Sequence, residues 1–423
     1  MNLWRNFIQM FAVQTTLLND VGNDLSPEMK TYYDKNLLYA AQPHLVHHQF
    51  GQKRPIPKNG GKTIEFRKFT PLAKALTPLT EGVTPAGNQL DVTAITATVS
   101  QYGDFITQSD ILELTAIDNT IVEATRILGD QAGLTMDTVV RDVLVAGTNV
   151  MYAPKFVDSA ETAVTSRAAL DATAVLSVDI LEQVRTNLKR KNTPTYEGGY
   201  YYAIVHPDSL YTLRRDPDWL APHRNADTSE IYNGEVGQIA GFKFFESTEA
   251  KIWCGADLSS TSRTLTLGSN ISGAVTSVVY SASGVTIAAD ELKGRVIMIN
   301  GVTATVTGNT ASSGTHTITV ASTNFGSGTA DTTKIYPGEG GKDGLAVYGS
   351  LFFGRDAYGV TEVEGAGLQT IVKQKGSAGT ADPLDQRSSV GWKALETAEI
   401  LMQPYMIRVE HTNKRYSSTA AGN

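Results

Sequence analysis

The chain has a single cysteine, Cys254, among 423 residues. An intrachain disulfide is therefore excluded, and the fold has to be held by packing and hydrogen bonds. No apolar run approaches the roughly 20 residues that a helix needs to cross a bilayer, so we expect no membrane partner. Charged residues make up only 19%, and the net charge of −7 lacks the basic excess with which proteins neutralise phosphate, so we expect no specific nucleic-acid binding.

Recognisable catalytic motifs are also lacking. Residues 61–63, Gly-Lys-Thr, resemble the end of a phosphate-binding loop, but Ile56 stands where that motif needs a glycine. The chain has no His-Glu-x-x-His and no Gly-x-Ser-x-Gly sequence. His44, His47 and His48 cluster without a nearby cysteine, and we interpret them as polar residues of an amino-terminal arm. We expect no enzymatic activity, no catalytic residue, no cofactor and no metal site.

A glycine-rich stretch is the most informative feature that is present. Residues 233–247 place Gly234, Gly237 and Gly241 before a hydrophobic strand and contain no nucleophile, base or pair of metal ligands. Glycines in such a run permit a tight backbone turn. The stretch therefore indicates a protein whose function depends on its shape.

Two alternating segments predict a long β-hairpin. In residues 62–69, Ile64 and Phe66 share one face, and residues 93–102 alternate in the same way. The segment between them is rich in proline, glycine and threonine and predicts an irregular tip. A two-stranded ribbon is marginal in water, so we expect this hairpin to lie on another surface.

A long helix is predicted after the hairpin. Apolar residues recur with helical spacing over residues 110–146. If this helix is continuous, it is roughly 55 Å long at 1.5 Å per residue. Gly129 and Gly133 are positions where it could bend or divide.

Residues 177–245 alternate between helix and strand signals. Ser177 is placed to cap a helix, a strand is expected at 200–205, and a second helix begins after His206. With a further strand at 242–245, these elements predict one α/β domain. The inward face of the first helix is predicted to be Ile180, Leu181, Val184 and Leu188.

The composition changes sharply at Gly255. Up to about Gly341, short strand-like runs alternate with glycine and asparagine in a region rich in serine, threonine, alanine and valine. Close strand spacing with glycine turns predicts a small β-barrel or β-sandwich. The earlier pattern resumes at Leu345, so we interpret the region as an inserted domain whose ends lie close together.

The hairpin and the long helix differ in charge. The base of the hairpin is basic, whereas the helix region is acidic, with Asp104, Asp110, Glu113, Asp118, Glu123, Asp130, Asp137 and Asp142 against Arg126 and Arg141. We expect the basic loop of one subunit to dock on the acidic helix of the next, with charge setting register. The alternative is two solvated faces whose ion pairs contribute little. The predicted contacts are Arg54, Lys58, Lys62, Arg67 and Lys68 on the loop and Asp110, Glu113, Asp118, Glu123 and Asp130 on the helix.

Three segments in this chain order resemble the major capsid proteins of tailed bacteriophages. Residues 233–247 resemble that family's Gly-x-Val-Gly-x-Ile-x-Gly run before a strand of its axial domain. Residues 344–359 resemble the strand and turn that follow, and residues 387–404 resemble the closing strands. A narrower resemblance is to the coat proteins of podophages with large virion RNA polymerases.

The resemblance implies an α+β fold of the tailed-phage and herpesvirus type, also called the Hong Kong phage type. This capsid fold has an amino-terminal arm, an extended β-hairpin loop, a long spine helix and an axial α/β domain, here with an inserted all-β domain. The boundaries it implies are 1–52 for the arm, 53–105 for the loop, 106–175 for the peripheral domain with the spine helix, 176–254 for the axial domain, 255–342 for the insert and 343–423 for the return strands.

The function implied is a major capsid protein that assembles into hexamers and pentamers of an icosahedral head around double-stranded DNA. Its expected partners are copies of itself, scaffolding and portal proteins and, potentially, a decoration protein, and DNA is enclosed without specific binding. The expected location is the virion, after assembly in the host cytoplasm. The alternative from another class is a β-rich virion surface or tail-associated protein that binds glycans through residues 255–341.

Overall fold

The structure is a computed structural model. The described residues are 37–41, 44–57, 61–69, 72, 74–76, 78–79, 81–84, 87–115, 120–157, 160–217, 219, 238–260, 262–281, 283–311, 316–363, 367–375, 384 and 386–423. The α-helices are α1 (Asp110–Thr115), α2 (Thr120–Val145), α3 (Val178–Arg190) and α4 (Pro207–Leu213). Residues 37–41 are also helical.

The strands carry most of the architecture. In the first half of the chain they are β1 (Gln52–Lys53), β2 (Thr63–Phe69), β3 (Val92–Thr98), β4 (Ser100–Ser109), β5 (Val150–Tyr152), β6 (Lys155–Val157), β7 (Ala160–Thr162), β8 (Tyr201–Val205), β9 (Gln238–Ile239), β10 (Phe242–Glu246) and β11 (Ile252–Trp253). In the second half they are β12 (Leu265–Thr266), β13 (Ala274–Val279), β14 (Val296–Ile299), β15 (Val302–Asn309), β16 (Thr317–Asn324), β17 (Lys334–Pro337), β18 (Val347–Phe353), β19 (Tyr358–Glu362), β20 (Gln369–Lys373), β21 (Arg387–Ile400) and β22 (Met406–His411).

The predicted hairpin is present as β2 and β3. They pair antiparallel, with Phe66 opposite Ile95. The second strand ends earlier than expected, because the chain leaves the hairpin at Val99 and continues as β4 in a different sheet. The ten residues of β4 pair with β21, nearly 300 residues further along the chain.

A five-stranded sheet is organised around β21. This strand pairs with β4 and with both β19 and β20, and β1 adds a short parallel strand beside β19. The helix α2 packs on this sheet, because Leu128, Ala132 and Met136 share a buried cluster with Trp392 of β21. β21, which makes up most of the residues 387–404 that resemble closing strands, therefore lies at the centre of the sheet.

The long helix predicted over residues 110–146 is described in two parts. These are α1 (Asp110–Thr115) and α2 (Thr120–Val145), and residues 116–119 between them lie outside the described residues. The 26 residues of α2 extend roughly 39 Å. Gly129 and Gly133 do not divide it. They instead allow residues 37–41 to approach closely, since a Cβ on Gly133 would lie 2.5 Å from the carbonyl oxygen of Ala41.

A seven-stranded sheet forms the α/β part of the molecule. Its order is β5-β22-β18-β8-β10-β9, with β11 paired to β18. β8 and β10 are parallel neighbours, as expected for strands joined through a helix. α3 covers this sheet through the predicted face of Ile180, Leu181, Val184 and Leu188, all of which are buried.

The strands β12 to β17 form a closed barrel. Their order is β12-β17-β14-β15-β16-β13, and an antiparallel bridge from Leu267 to Tyr280 joins the two outer strands. Closure leaves few free edge hydrogen-bonding groups. The barrel has its own buried core, which includes Leu265, Val278, Tyr280, Ile297, Ile299, Val306, Ile318, Phe325 and Ile335.

The two connections of the barrel lie side by side. A Cβ on Gly255 would lie only 2.0 Å from Cβ of Pro337, so the entry and exit segments are in direct contact. The Arg263 guanidinium donates to the carbonyl oxygen of Gly344 at 2.7 Å, and Arg295 donates to that of Asp257 at 2.7 Å. The expectation that the ends of this region meet is confirmed.

Candidate assembly surfaces

The base of the hairpin rests on the five-stranded sheet. Phe66 is only 3% exposed, and its ring lies over Gly359, where a Cβ would come within 2.9 Å of it. The Arg54 guanidinium lies 5.9 Å from the centre of the same ring, a distance at which cation–π attraction contributes modestly. The base of the hairpin is therefore anchored through the Phe66 ring.

Beyond this anchor the hairpin presents apolar side chains to solvent. The exposed fractions are 57% for Leu72, 82% for Leu76, 78% for Leu79, 63% for Val83 and 64% for Leu90. Single exposed apolar residues are ordinary, but several in one segment mark a surface that another molecule covers. This segment is the first candidate assembly surface.

The outer face of α2 is the second candidate surface. Its acidic residues Glu123 and Asp130 are paired locally, because Arg126 lies 2.6 Å from Glu123 and 3.1 Å from Asp130. Hydrogen bonding to Arg126 lowers the pKa of Glu123. His44 also lies 3.5 Å from Asp130. Part of the negative charge expected on this face is therefore neutralised within the chain.

Some of the remaining predicted contact residues belong to the described part of the chain, and others do not. Asp110 accepts a hydrogen bond from the Ile111 amide at 2.8 Å and begins α1, while Arg54 and Lys62 are exposed. Arg67 is exposed and lies 3.6 Å from Glu65 on its own strand. Lys58 and Asp118 lie outside the described residues, as do the side chains of Lys68 and Glu113.

Asp137 is not part of the acidic surface. It is fully buried on α2, where its carboxylate accepts the backbone amide of His47 at 2.6 Å and contacts Nδ1 of His47 at 2.6 Å. The interpretation of His47 as a polar arm residue is therefore wrong, since it is 1% exposed. A signal was present in the sequence, because Asp137 and Arg141 fall on the apolar stripe of the helix.

Of the three glycines of the predicted turn, Gly241 is described. It has φ of 76° and follows Ala240 with φ of 53°, so the two residues form the tight turn from β9 to β10. Gly234 and Gly237 lie outside the described residues. The role of Gly241 in this turn agrees with its interpretation as a backbone device.

The described part of the chain also bears on metal binding and on membrane insertion. No group of three His, Cys, Asp or Glu side chains there could hold a metal ion. Among the described helices, none combines the length and the apolar character required to span a bilayer.

The sequence model of the phage capsid protein family matches residues 109–377, which is more than half of the chain. The chain belongs to this family. The match includes the spine helix α2, the closed barrel and all strands of the α/β sheet except β22 of this capsid protein. It favours the coat-protein function over a glycan-binding tail protein. No protein with a curated description matches this capsid protein.

Two solved capsids are similar to this capsid protein in fold. The capsid structure of Cyanophage P-SCSP1u has a TM-score of 0.51 and 13% identity, and the alignment covers 87% of this chain and 88% of that chain. The capsid of Ralstonia phage GP4 has a TM-score of 0.52 and 12% identity, again with 87% and 88% covered. The predicted fold class, the Hong Kong phage type of capsid fold, is confirmed.

Proposed function

We propose that this chain is the major capsid protein of a tailed phage, and that its copies assemble into hexamers and pentamers of an icosahedral head enclosing double-stranded DNA. The observation that carries this proposal is the family match over residues 109–377. The exposed leucines of the hairpin support it, because a subunit that assembles leaves such surfaces for its neighbours.

Expression of the chain alone, and with scaffolding and portal proteins from the same genome, tests this function. Size-exclusion chromatography and negative-stain electron microscopy are expected to reveal closed shells, tubes or rings the size of capsomers. A stable monomer under every condition would contradict self-assembly.

The hairpin is proposed to dock on the spine helix of the next subunit. Arg54, Lys62 and Arg67 supply exposed positive charge near its base, and the exposed leucines supply apolar area. Since Arg126 already neutralises part of the acidic face, charge is expected to set register and encounter rate, while the leucines supply most of the affinity. Asp110, Glu113, Asp118, Glu123 and Asp130 are the proposed partners of Arg54, Lys58, Lys62, Arg67 and Lys68.

Charge reversal tests this contact. The variant Lys62→Glu, Arg67→Glu, Lys68→Glu is expected to remain a folded monomer with unchanged circular dichroism but to form no shells. The matched control, Lys293→Glu, Lys334→Glu, Lys342→Glu, changes the net charge equally at exposed lysines in or beside the barrel and is expected to assemble. Normal shells from the hairpin variant would reject the docking scheme.

The barrel is proposed to be an inserted domain on the outer surface of the shell, where it could serve as an attachment point for a decoration protein. Support comes from its separate core and from its adjacent connections at Gly255 and Pro337. The domain boundaries proposed are those of the sequence analysis. A peptide tag between Asn300 and Gly301, in the turn from β14 to β15, is expected to be bound by antibody on intact shells. A tag that is accessible only after the shells are broken would place the barrel inside.

We also propose the narrower assignment to podophages with large virion RNA polymerases, on the sequence resemblance alone. It requires a gene for such a polymerase in the same phage genome. A genome that encodes a contractile tail and no such polymerase would refute it.

A further inference from the structure

Residues 44–57, which we call the strap, are held between the spine helix and the five-stranded sheet. His47 bonds to Asp137 of α2 through both its amide and its ring, and its carbonyl oxygen accepts the hydroxyl of Tyr358 at 2.6 Å. Further along, the Ile56 amide donates to the carbonyl oxygen of Glu362 at 2.8 Å. In the chain, the strap lies between the helical residues 37–41 and the base of the hairpin.

A buried carboxyl lies beneath the strap. The Glu396 side chain, on β21, is 1% exposed, and neither of its oxygens has a hydrogen-bond partner. Nε2 of His48, on the strap, lies 3.2 Å from one of these oxygens, although the angles do not make a hydrogen bond. A charged carboxylate in this position would lose its hydration without compensation.

The groups around Glu396 add to the free-energy cost of ionising its carboxyl. The carboxylate of Glu362 is on the residue directly opposite on β19, and Asp137 approaches from α2. On β4 the residue opposite is Ser100, which carries no charge. The titratable and charged groups that face the site from the packed elements are His47, His48, Lys53, Asp137, Tyr358 and Glu362.

Burial, followed by repulsion from Glu362 and Asp137, raises the pKa of Glu396 from 4.5 to about 8, against a smaller opposing effect of Lys53. Burial, followed by repulsion from Lys53, lowers the pKa of His48 from 6.5 to about 4. Near neutral pH both groups are therefore uncharged in the closed structure. In that state the strap covers a neutral carboxylic acid and a neutral imidazole.

We propose that Glu396 and His48 form a proton-dependent latch, which keeps the strap closed while Glu396 is protonated and releases it when Glu396 ionises. Ionisation adds a buried negative charge beside Asp137 and Glu362. Separation of His48 and the strap from β21 allows water to reach that charge. The released strap would free the base of the hairpin and residues 37–41 from the sheet and the spine helix.

The direction of the pH dependence follows from the proton count. Opening restores Glu396 to an ordinary carboxyl, so opening releases a proton between pH 4.5 and about 8. Opening restores His48 to an ordinary imidazole, so opening takes up a proton between about pH 4 and 6.5. The two effects cancel between pH 4.5 and 6.5. From pH 6.5 to 8 the opening constant rises tenfold per unit, about 30-fold in all, and then levels off.

Hydrogen exchange of the full chain tests the latch. Mass spectrometry of peptides containing the amides of Arg54 and Ile56, corrected for intrinsic exchange rates, gives the opening constant from pH 5 to 9. The wild-type chain is expected to show the 30-fold rise above pH 6.5. Glu396→Gln, and independently Glu396→Leu, are expected to abolish it. His48→Gln is expected to extend the rise downward to about pH 5, because the compensating proton uptake is lost.

The exposed Glu362 supplies a matched control. Glu362→Gln removes a repulsion but leaves the latch, so the rise is expected to remain and to level off at a lower pH. If the opening constant of the wild type is independent of pH between 6.5 and 8, or if both Glu396 variants keep the rise, the latch is refuted. Either Glu396 variant suffices should the other fail to fold.

Discussion

The barrel and the hairpin are both antiparallel β structure. They differ in how their edge strands are hydrogen-bonded and in where their apolar side chains are buried. The barrel joins the two outer strands of its sheet, β12 and β13, through Leu267 and Tyr280 and buries a core of its own. The hairpin has two strands, a base anchored through the ring of Phe66 and an exposed apolar segment beyond it. Because its edge strands pair and its core is internal, the barrel is expected to fold by itself. The hairpin lacks both features and depends on neighbouring surfaces.

Excision of both regions would test this difference most directly. A fragment of residues 255–345 is expected to unfold cooperatively, because its core and its closed strand order are both internal. A fragment of residues 61–99 is expected to be unstructured. Circular dichroism and thermal unfolding measure both. A folded hairpin fragment would contradict the dependence of the hairpin on its neighbours. A barrel fragment without a cooperative transition would contradict the independent folding of the barrel.

The anchor of the hairpin can be loosened by one methyl group. In Gly359→Ala the new Cβ would lie 2.9 Å from the Phe66 ring, so the ring has to move. Overpacking of this kind costs about 1–3 kcal/mol. Urea unfolding is expected to show the lower stability, and exchange of β2 amides is expected to increase. Gly87→Ala, in the same hairpin and with nothing within 4 Å of its Cβ, should change neither.

The exposed leucines are expected to matter for assembly and hardly at all for the folded monomer. Leu76→Ser with Leu79→Ser removes side chains that are 82% and 78% exposed, so monomer stability is expected to change by less than about 0.5 kcal/mol per site. Shell yield, measured by sedimentation, is expected to collapse. Val302→Ser on the barrel, where the side chain is 37% exposed, is the control and should assemble. Full assembly of the double variant would show that Leu76 and Leu79 do not contribute to the interface between subunits.

Local patterns predicted local elements well. The inward face of α3 and the pairing face of Phe66 follow from residue periodicity, which depends only on helix and strand geometry. The spacing of short runs after Gly255 predicted the barrel strands for the same reason. The resemblance in motif order supplied the fold class that the family match and the similar capsids then established.

Pairings between distant segments were not predictable in this way. The first residues of β4, 100–102, were taken for the end of a hairpin strand, although β4 pairs with β21, because alternation indicates a strand without indicating its partner. Gly129 and Gly133 were interpreted as weak points of a helix, although they admit the carbonyl groups of residues 37–41. Their meaning depends on which segment approaches them.

The sequence by itself determined the strand and helix periods, the composition change at Gly255 and the order of the capsid motifs, since these depend on neighbouring residues. The tertiary structure alone decided that Asp137 is buried against His47, 90 residues away, and that Glu396 is buried beneath His48, where burial raises its pKa. Burial and charge state depend on what surrounds a side chain in space. For that reason the same histidines that look like polar arm residues in the sequence become part of the junction between the strap, the spine helix and the sheet.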